Sequence, residues 1–571
     1  VEKQDRISGF SNFGDEVDVC APGNEIFSCV SSAATGVVKN GYKYSLYTGT
    51  SMATPHVTAA VAMLCLDNPT LSAEQIKTKL KSMTVDLGTP GEDPIYGSGR
   101  IDFRMLSSNG LSAQQPIAAT SLEIHEIAND LEYNVPCASV TLSSGTTLND
   151  YTMVIPVMKP VEATDKSAAL SVGNTNCAYF DENERLKAGA VGNTTVYATK
   201  GSLSAQFPVT VLDNWINYAA SSYQSGTGTS SDPYIIASAP QLAKLAYETR
   251  INKNRYYGKY FKLAANIDLG GRNWTSIGAA EYKNKELKYF ESFGSCFDGN
   301  NFTISNLYMS TPDNRAWEYC GLFGFIKGKD NSKAEIKNLA VINAWVGSSS
   351  AKENSKAGLL CGAAINTNIY NCYTQGTSSG SGFIGLNSTN SSIKNCYASA
   401  NCGKAGFAGD NRATIGNCYS IGQARNGGFI GSTSESGETV NCFTNSGVSN
   451  LKSGFVYTKG DGASIVKGYY SNGTAAAWYD KKPETTDITK KTEQDFKTKS
   501  FYTTASNWDS SSTWDFTNTW DIDSRCNNGL PFLRKFQKNV YDISLNKTAI
   551  SLCKGETEQL TATVLPTYAV N

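Results

Sequence analysis

The stretch GTSMATPHVTAAVAMLCL, residues 49–66, decides how the first part of the chain is expected to fold. After Pro55 apolar residues recur at helical spacing and nearly every other position is small or apolar, which predicts a helix buried on all sides. Proline fits a helix in its first turn, so Ser51 is expected at or just before the helix N-terminus. Free backbone N–H groups and the positive end of the helix dipole would stabilise an oxyanion there. The pattern therefore predicts a serine in the position of a nucleophile.

Short apolar runs around this stretch predict further regular structure. Residues 17–21 and 26–30 are expected to form buried strands of an α/β sheet. Ser72 with Gln75 three residues later is a capping-box pattern, which predicts the start of a second helix. The apolar face of that helix is expected to carry Ile76, Leu80 and Met83. The first hundred residues are thus predicted to belong to an α/β domain.

Four motifs in this region follow one another in a fixed order: SGFSNFG (8–14), DVCAPG (18–23), GTSMATPHVTAAVAML (49–64) and YGSGRIDF (96–103). In order and spacing they resemble the C-terminal portion of the subtilisin family of serine peptidases. The resemblance implies a partial subtilisin-like domain over residues 1–106 and a serine-type endopeptidase activity. It also implies that Ser51 is the nucleophile and that its own backbone N–H donates to the oxyanion.

The catalytic partners of this serine are not in the chain. In the subtilisin family the catalytic Asp, the catalytic His and the oxyanion Asn precede the nucleophile, and the 50 residues before Ser51 contain no histidine. His56 matches a position inside the family's buried helix and is expected to be structural. His125 is expected on an exposed edge strand of another module, out of reach of Ser51. The chain is therefore predicted to be a fragment, cut upstream, whose peptidase segment is inactive and unstable on its own.

Composition excludes several classes of function. At about 150 residues per domain, a chain of 571 residues is expected to hold several domains. It has 50 Lys plus Arg against 51 Asp plus Glu and no basic run, which argues against a nucleic-acid partner. The longest largely apolar run, residues 57–66, is too short to cross a membrane. Neither a CxxC pair nor a Cys/His cluster is present, so no metal or other cofactor is expected.

After a polar linker, residues 107–117, the sequence changes to short alternating strands separated by turns. Over residues 118–212 this rhythm predicts an antiparallel sandwich, and the segment resembles the bacterial Ig-like group 2 domains of surface proteins. Cys137 and Cys177 would either bridge the two sheets or remain small buried thiols. The chain has 15 cysteines, an odd number, so at least one thiol lies outside any internal disulfide.

An internal repeat governs residues 213–537. GFIG, GFAG and GFIG begin at Gly382, Gly406 and Gly428, at intervals of 24 and 22 residues. A fixed period of this length predicts one coil per repeat, stacked about 4.8 Å apart in a right-handed β-solenoid with in-register columns of equivalent residues. One expected column is a set of amides that link coil to coil, formed by Asn371, Asn395, Asn417 and Asn441. The next is a set of free thiols, formed by Cys372, Cys396, Cys418 and Cys442.

The repeat region resembles the GLUG-motif repeats of secreted bacterial proteins, a resemblance that implies an architecture and no particular chemistry. Two acidic residues, Asp268 and Asp298, raise the alternative of a glycosidase, but both lie beside glycine in motifs where turn formation is the simpler role. Residues 538–571 resemble the first half of a second Ig-like domain. The chain is therefore expected to be cut at both ends.

Together these patterns predict a multidomain protein: a partial α/β subtilisin-like domain followed by an all-β region of Ig-like sandwich, β-solenoid and partial Ig-like sandwich. The expected function is that of a secreted or cell-surface bacterial serine endopeptidase that cleaves proteins or peptides. The β modules are expected to hold it to a substrate, a cell wall or a host glycan. The alternative is a non-catalytic surface adhesin that carries a peptidase remnant.

Overall fold

The protein is known from a computed structural model. It describes residues 1–2, 5–9, 11–30, 37–39, 42–103, 118–127, 134–144, 151–160, 163, 167–251, 256–283, 286–311, 319–329, 332–348, 356–434, 436–448, 454–471, 485–537, 542–547, 549–550 and 557–565. The predicted linker, residues 107–117, lies outside these ranges. The chain divides into two compact units, one of residues 1–217, 282–288 and 311–317 and one of residues 218–281, 289–310 and 318–571.

The first hundred residues contain helices and short strands: β1 Ile26–Cys29, β2 Val37–Lys39, β3 Tyr42–Tyr47, α1 Thr50–Asp67, α2 Ala73–Lys81, β4 Thr84–Val85 and β5 Arg100–Ile101. The expected buried strands of an α/β sheet are wrong for this chain. β1, β3 and β2 form an antiparallel sheet, in which Phe27 is 55% exposed. Residues 17–21 contribute one isolated bridge, between Cys20 and Arg100. A parallel sheet buries its strands only when helices cover both faces, and no such cover lies over β1 among the described residues.

Helix α1 is less buried than its composition predicts. Ala60 and Leu64 are its buried residues, whereas Met63 is 44% and Leu66 is 80% exposed. The buried side of α1 packs on α2 in a cluster of Ala21, Ala60, Leu64, Ile76, Leu80, Met83 and Ile101. The capping box at the start of α2 is confirmed, since Ser72 and Gln75 each accept the other's backbone N–H. One face of α1 is thus packed and the other is apolar but uncovered.

Two sheets follow, built from β6 Ser121–Ile127, β7 Asn134–Pro136, β8 Val140–Ser143, β9 Tyr151–Lys159, β10 Ala169–Val172, β11 Ala178–Phe180, β12 Arg185–Ala188, β13 Gly192–Lys200 and β14 Leu203–Leu212. Their orders are β10-β13-β14-β8 and β11-β12-β9-β6-β7, and they enclose a common apolar core. The pairing is antiparallel as predicted except between β8 and β14, which run parallel. Cys177 is a buried free thiol, so no disulfide joins it to Cys137 across the two sheets.

Strand β9 is buried on both of its faces. Val154 and Met158 belong to the core between the two sheets. Met153 and Ile155, which alternate with them, pack instead against apolar residues of the first hundred positions, namely Ile7, Leu87, Ile95 and Tyr96. The backbone N–H of Ala168 adds a hydrogen bond to the Gly88 carbonyl at 3.0 Å. The sheet region and the first hundred residues therefore pack against each other through this cluster around β9, separate from the core between the two sheets.

From residue 218 onward the chain is built mainly of short strands. The first half contains β15 Tyr234–Ile236, α3 Ala239–Ile251, β16 Tyr260–Leu263, β17 Ile267–Asp268, β18 Ala279–Lys283, β19 Glu286–Glu291, β20 Cys296–Ser305, β21 Tyr308–Thr311, β22 Phe323–Lys327, β23 Ala334–Ser348, β24 Cys361–Ile365, β25 Thr367–Tyr370, β26 Tyr373–Ser378, β27 Ile384–Asn387 and β28 Ser392–Lys394. The second half contains β29 Tyr397–Cys402, β30 Ala408–Asn411, β31 Thr414–Gly416, β32 Tyr419–Ala424, β33 Ile430–Thr433, β34 Glu438–Val448, β35 Val456–Lys459, β36 Ser464–Tyr470, β37 Thr485–Lys490, α4 Glu493–Phe496, α5 Lys499–Thr503, β38 Trp520–Asp521, β39 Phe532–Leu533, β40 Asp542–Leu545 and β41 Ala562–Leu565.

Strands one repeat apart pair in parallel and in register. One sheet has the order β22-β24-β27-β30-β33-β35, and in a second the neighbours β25, β28 and β31 bring Ile369, Ile393 and Ile415 side by side. The Phe383, Phe407 and Phe429 rings form a column, with centroids 4.7 and 4.9 Å apart. These distances equal the spacing of neighbouring strands, so equivalent residues of successive repeats stack directly on one another.

The asparagines of the repeat lie at corners of the chain, where Asn371, Asn395, Asn417 and Asn441 all have φ between 52° and 55°. Of the four asparagines in the expected column, Asn371 makes an amide-to-amide bond, but to a residue outside the predicted set: it donates to Asn338 Oδ1 at 3.3 Å. The expected column is wrong for Asn417 and Asn441, which donate instead to backbone carbonyls of residues 509–513. Asparagine tolerates this left-handed backbone conformation better than most residues, which explains why asparagine occurs at these corners. The hydrogen-bond partner of each side chain depends on which segment packs beside it.

The expected column of thiols is present. Cys372, Cys396, Cys418 and Cys442 are fully buried free thiols. Each donates to the carbonyl two residues earlier, as Cys396 does to Lys394 at 3.1 Å. Burial raises the pKa of Cys396 and Cys442 well above the usual value. Cys396 and Cys442 therefore behave as small apolar residues.

A second column, of aromatic rings, is covered by the end of the repeat region. Successive centroids of Tyr373, Tyr397, Tyr419 and Phe443 are 4.7, 4.9 and 4.6 Å apart. Residues 493–536 cover this column with Phe496, Phe501, Tyr502, Trp508, Trp514, Phe516 and Trp520. The two sets of rings form one aromatic cluster.

Alkaline pH should destabilise this cluster. Burial raises the pKa of Tyr373 and Tyr469 to about 12, and it raises the pKa of Tyr397 and Tyr419 further. Above the ordinary phenol pKa of about 10, the unfolded chain releases these protons and the folded chain keeps them, so the free energy of unfolding falls as pH rises. We expect phenolate absorbance and loss of circular dichroism to rise together on titration above pH of about 10. Phenolate that forms without unfolding would contradict this.

The candidate nucleophile at the start of helix α1

Ser51 is the second residue of α1, and its side chain is exposed. Its backbone N–H is one of the first four of the helix, which have no acceptor within the helix. The next N–H, of Met52, bonds to the carbonyl of the N-cap residue Gly49 at 3.0 Å. The hydroxyl and a helix N-terminal N–H are therefore presented by the same residue, as the sequence predicts.

The second motif, residues 18–23, holds the turn that leads into α1. The Gly49 N–H donates to the Gly23 carbonyl at 2.8 Å, and a Cβ on Gly23 would lie 2.8 Å from the Gly49 carbonyl oxygen. The Thr48 hydroxyl donates to Asn24 Oδ1 at 2.8 Å. Because a larger residue at Gly23 would push the turn away, this motif fixes where the helix begins and thus where Ser51 lies.

The fourth motif, residues 96–103, is joined to the second by backbone hydrogen bonds. The Cys20 N–H donates to Gly99 and the Ile101 N–H donates to Cys20, both at 3.0 Å. Gly97 has φ of +61°, and a Cβ there would lie 2.4 Å from the Val17 carbonyl oxygen. The second and fourth motifs, which are far apart in the sequence, are thus joined by backbone hydrogen bonds, and together they support the turn that leads into α1.

Pro55 lies one turn later than predicted. It is the sixth residue of α1, which begins at Thr50, so it falls in the second turn. Proline has no N–H to donate to the carbonyl four residues earlier, which is that of Ser51. The Thr54 hydroxyl donates to the Thr50 carbonyl at 3.2 Å, which adds a side-chain hydrogen bond to the first turn of the helix.

Neither histidine is placed beside Ser51. His56 Nδ1 is bonded to the Met52 carbonyl of its own helix at 3.0 Å. His125 does not lie on an exposed edge strand as predicted: β6 runs between β7 and β9, and the residue is 5% exposed. The strand pairing of β7, which the alternating pattern does not reveal, covers that edge. His125 Nε2 contacts Glu123 Oε2 at 2.8 Å.

A buried acid that the sequence analysis did not single out, Asp93, lies in the turn before the fourth motif. Burial raises the pKa of Asp93 to about 7, even though the N–H groups of Ile95 and Tyr96 donate to its Oδ1 at 2.8 and 2.7 Å. These bonds hold the turn that precedes the fourth motif. Aspartate is a common turn residue whether or not it is buried, so the residue type alone does not indicate the burial of Asp93.

The two acids considered for a glycosidase have turn contacts. Asp268 Oδ1 accepts the Gly270 N–H and the Asn306 amide, both at 2.7 Å, and these bonds lower its pKa. Asp298 Oδ1 accepts the Asn300 N–H at 2.8 Å and the Asn338 amide at 3.0 Å. Both therefore act as acceptors that fix a corner.

The described ranges contain no group of three or more His, Cys, Asp or Glu side chains able to hold a metal ion. Among the helices that the structure describes, none combines the length and apolar character needed to span a bilayer.

Residues 1–99, which include Ser51, match the model of the Subtilase family. Among similar proteins, the Minor extracellular protease Epr of Bacillus subtilis (strain 168) is 32% identical over 121 residues, which cover 21% of this chain and 17% of that protein. The Extracellular serine protease of Serratia marcescens is 37% identical over 99 residues, 15% of this chain and 10% of that protein. Subtilisin DY of Bacillus licheniformis is 35% identical over 102 residues, 18% of this chain and 33% of that protein. The match thus spans a third or less of these relatives.

Proposed function

We propose that Ser51 is the nucleophile of a secreted or cell-surface serine endopeptidase of the subtilisin type. The observation that carries the proposal is the exposed hydroxyl of Ser51 at the second position of α1, within the GTSMATPH motif and held by the motifs on either side. The extracellular proteases among the relatives support the location. The catalytic Asp, the catalytic His and the oxyanion Asn would lie in residues beyond this chain.

In the proposed reaction, Ser51 Oγ attacks the carbonyl carbon of a peptide bond while an upstream His takes its proton. The backbone N–H of Ser51 donates to the oxygen that becomes negative, next to the positive end of the α1 dipole. The peptide C–N bond then breaks, the His returns the proton to the leaving amine, and an acyl-Ser51 ester remains for water to hydrolyse. Without the His, the hydroxyl is a poor nucleophile, so this chain alone should be inactive.

The uncovered face of α1 supports this proposal. Met63 and Leu66 are large apolar side chains that lie exposed on α1, and exposed apolar surface of this kind normally marks a contact. The remaining sheet of a subtilisin-like domain would cover it.

The later modules would hold the peptidase in place. The two-sheet region, residues 118–212, has the layered core of an Ig-like sandwich, and the parallel in-register strands of residues 213–537 support a β-solenoid of GLUG-type repeats. Residues 538–571 would belong to a further Ig-like domain, of which β40 and β41 form an antiparallel pair. Such modules would bind the enzyme to a wall, a glycan or a protein substrate.

A fluorophosphonate probe tests the assignment of Ser51. The probe is attacked by an activated serine, which forms an O–P bond as fluoride leaves. We expect the protein isolated from its source to be labelled on the peptide that contains Ser51, and the Ser51→Ala variant not to be labelled there. The 571-residue chain alone should remain unlabelled. If the protein from its source also stays unlabelled, the non-catalytic adhesin becomes the better explanation.

A further inference from the structure

A surface cavity of about 370 Å³ lies at the beginning of the second unit, between α3, the strand β15 and the loop that precedes β15. Its walls include the rings of Tyr223, Tyr234 and Tyr256. The first two rings are 4.9 Å apart, and Phe261 supports Tyr223 and Tyr256 from below at 5.6 and 5.1 Å in edge contacts. A cavity of this volume is typical of small-molecule sites, and its aromatic surfaces have fixed positions.

Polar groups converge on the same cavity. Lys244 Nζ lies 2.7 Å from Glu248 Oε1 and 5.5 Å from the centre of the Tyr223 ring. The Tyr256 hydroxyl donates to the other Glu248 oxygen and accepts a hydrogen bond from the Tyr223 hydroxyl, 2.9 Å away. Glu248 is 7% exposed. Taking an ion pair out of water is costly, and its net contribution to folding is small, so stability alone is a weak reason for this arrangement.

The rim of the cavity is rigid. Gly226 has φ of +93°, and a Cβ there would lie 1.9 Å from the Pro233 carbonyl oxygen. The backbone at Gly226 therefore lies in direct contact with the residue that precedes β15. The loop is tied again at Asp232, whose carboxylate accepts the Thr227 N–H and hydroxyl, both at 2.9 Å. A ligand would therefore meet a preformed surface and lose little affinity to ordering.

The chemistry of the lining selects one class of ligand. A pyranose ring is apolar on its faces and polar around its edge, which matches tyrosine rings set among hydroxyl, ammonium and carboxylate groups. Lys244 and Lys259 bring two positive charges and Glu248 one negative charge, so the lining carries an excess of one positive charge. We infer that this cavity binds a carboxylated sugar, such as a hexuronic acid unit of an acidic polysaccharide, with the ring against tyrosine and the carboxylate toward the two lysines. The inference is independent of Ser51 and of the peptidase activity.

Titration calorimetry of the 571-residue chain at low salt tests this inference, with trigalacturonate as the probe and the neutral trisaccharide maltotriose as its comparison. We expect saturable binding of trigalacturonate and at least tenfold weaker binding of maltotriose. Lys259→Gln should weaken trigalacturonate binding about tenfold, because it removes a charge-assisted hydrogen bond at the rim. The matched control is Lys262→Gln, three residues further along, within β16 and outside the cavity lining, which should leave binding unchanged.

A second variant tests the Lys244–Glu248 ion pair, where replacing one residue alone would leave an unpaired charge and could impair folding. Replacing both members of the ion pair, Lys244→Met with Glu248→Gln, leaves no unpaired charge and keeps an amide oxygen that can accept from the Tyr256 hydroxyl. The chain should therefore fold with an unchanged melting temperature and lose binding. The inference would be overturned by equal binding of maltotriose, by the absence of trigalacturonate binding, or by equal losses in Lys259→Gln and Lys262→Gln. Tighter binding of a hexaglutamate peptide than of trigalacturonate would also overturn it, in favour of an acidic peptide.

Discussion

Replacing Ser51 by alanine, in a form of the protein that carries the complete peptidase domain, should lower kcat for peptide hydrolysis by a factor on the order of 10⁶, the loss measured for the equivalent change in subtilisin itself. The reason is that alanine removes the attacking oxygen while the fold of α1 remains intact. Residual hydrolysis would come from binding and oxyanion stabilisation alone. Initial rates on a chromogenic peptide, at saturating substrate, provide the measurement.

The matched control for this change is Thr58→Ala. Thr58 lies two turns further along α1, carries a hydroxyl of the same kind, and donates to the Thr54 carbonyl at 3.0 Å. Its loss should change kcat less than threefold or so, because it removes a hydroxyl remote from the helix N-terminus. A rate for Ser51→Ala within tenfold of the unaltered protein would rule out Ser51 as the nucleophile.

Replacing Trp520 by alanine should be the most damaging single change in the second unit. Trp520 is fully buried, with ring centroids 4.9 Å from Trp514, 6.0 Å from Tyr419 and 6.3 Å from Tyr397. Removing a buried tryptophan leaves a large cavity, so we expect the free energy of unfolding to fall by about 3–5 kcal/mol. Urea unfolding followed by circular dichroism gives this quantity.

Trp345→Ala is the comparison for Trp520→Ala. Trp345 is half-buried and stacks on the ring of Tyr308, with centroids 5.0 Å apart. Because less apolar surface is lost there, its effect should be less than half that of Trp520→Ala. Equal effects of the two changes would mean that residues 493–536 do not stabilise the aromatic column.

In the first hundred residues, the positions where the helices begin could be predicted from the sequence, whereas the burial of individual side chains could not. The Ser72 capping box and the helix N-terminus at Ser51 follow from residue types within one turn. The exposure of Leu66 depends on which chain lies opposite, and no periodicity within residues 49–66 encodes that. The same holds for Phe27, whose strand pairs with an antiparallel neighbour.

In the repeat region, the period predicts which residues align in columns. It does not predict that residues 493–536 cover one of these columns. Residues one period apart stack, as Phe383 and Phe407 do. Nothing in the repeat identifies the side of the column against which residues 493–536 pack, so the partners of Asn417 and Asn441 could not be derived. The cavity beside Lys244 was missed for a similar reason, since its lining comes from a loop, a helix and a strand with unrelated patterns.

The column of buried thiols has a practical consequence. Because Cys372, Cys396, Cys418 and Cys442 are inaccessible in the folded chain, alkylating reagents can reach them only when a repeat opens. Mass spectrometry after timed alkylation would then report the opening rate of each repeat separately, with the native residues as the reporters. Because these thiols are not joined in disulfides, they would report local unfolding at successive positions along the repeat region without any introduced label.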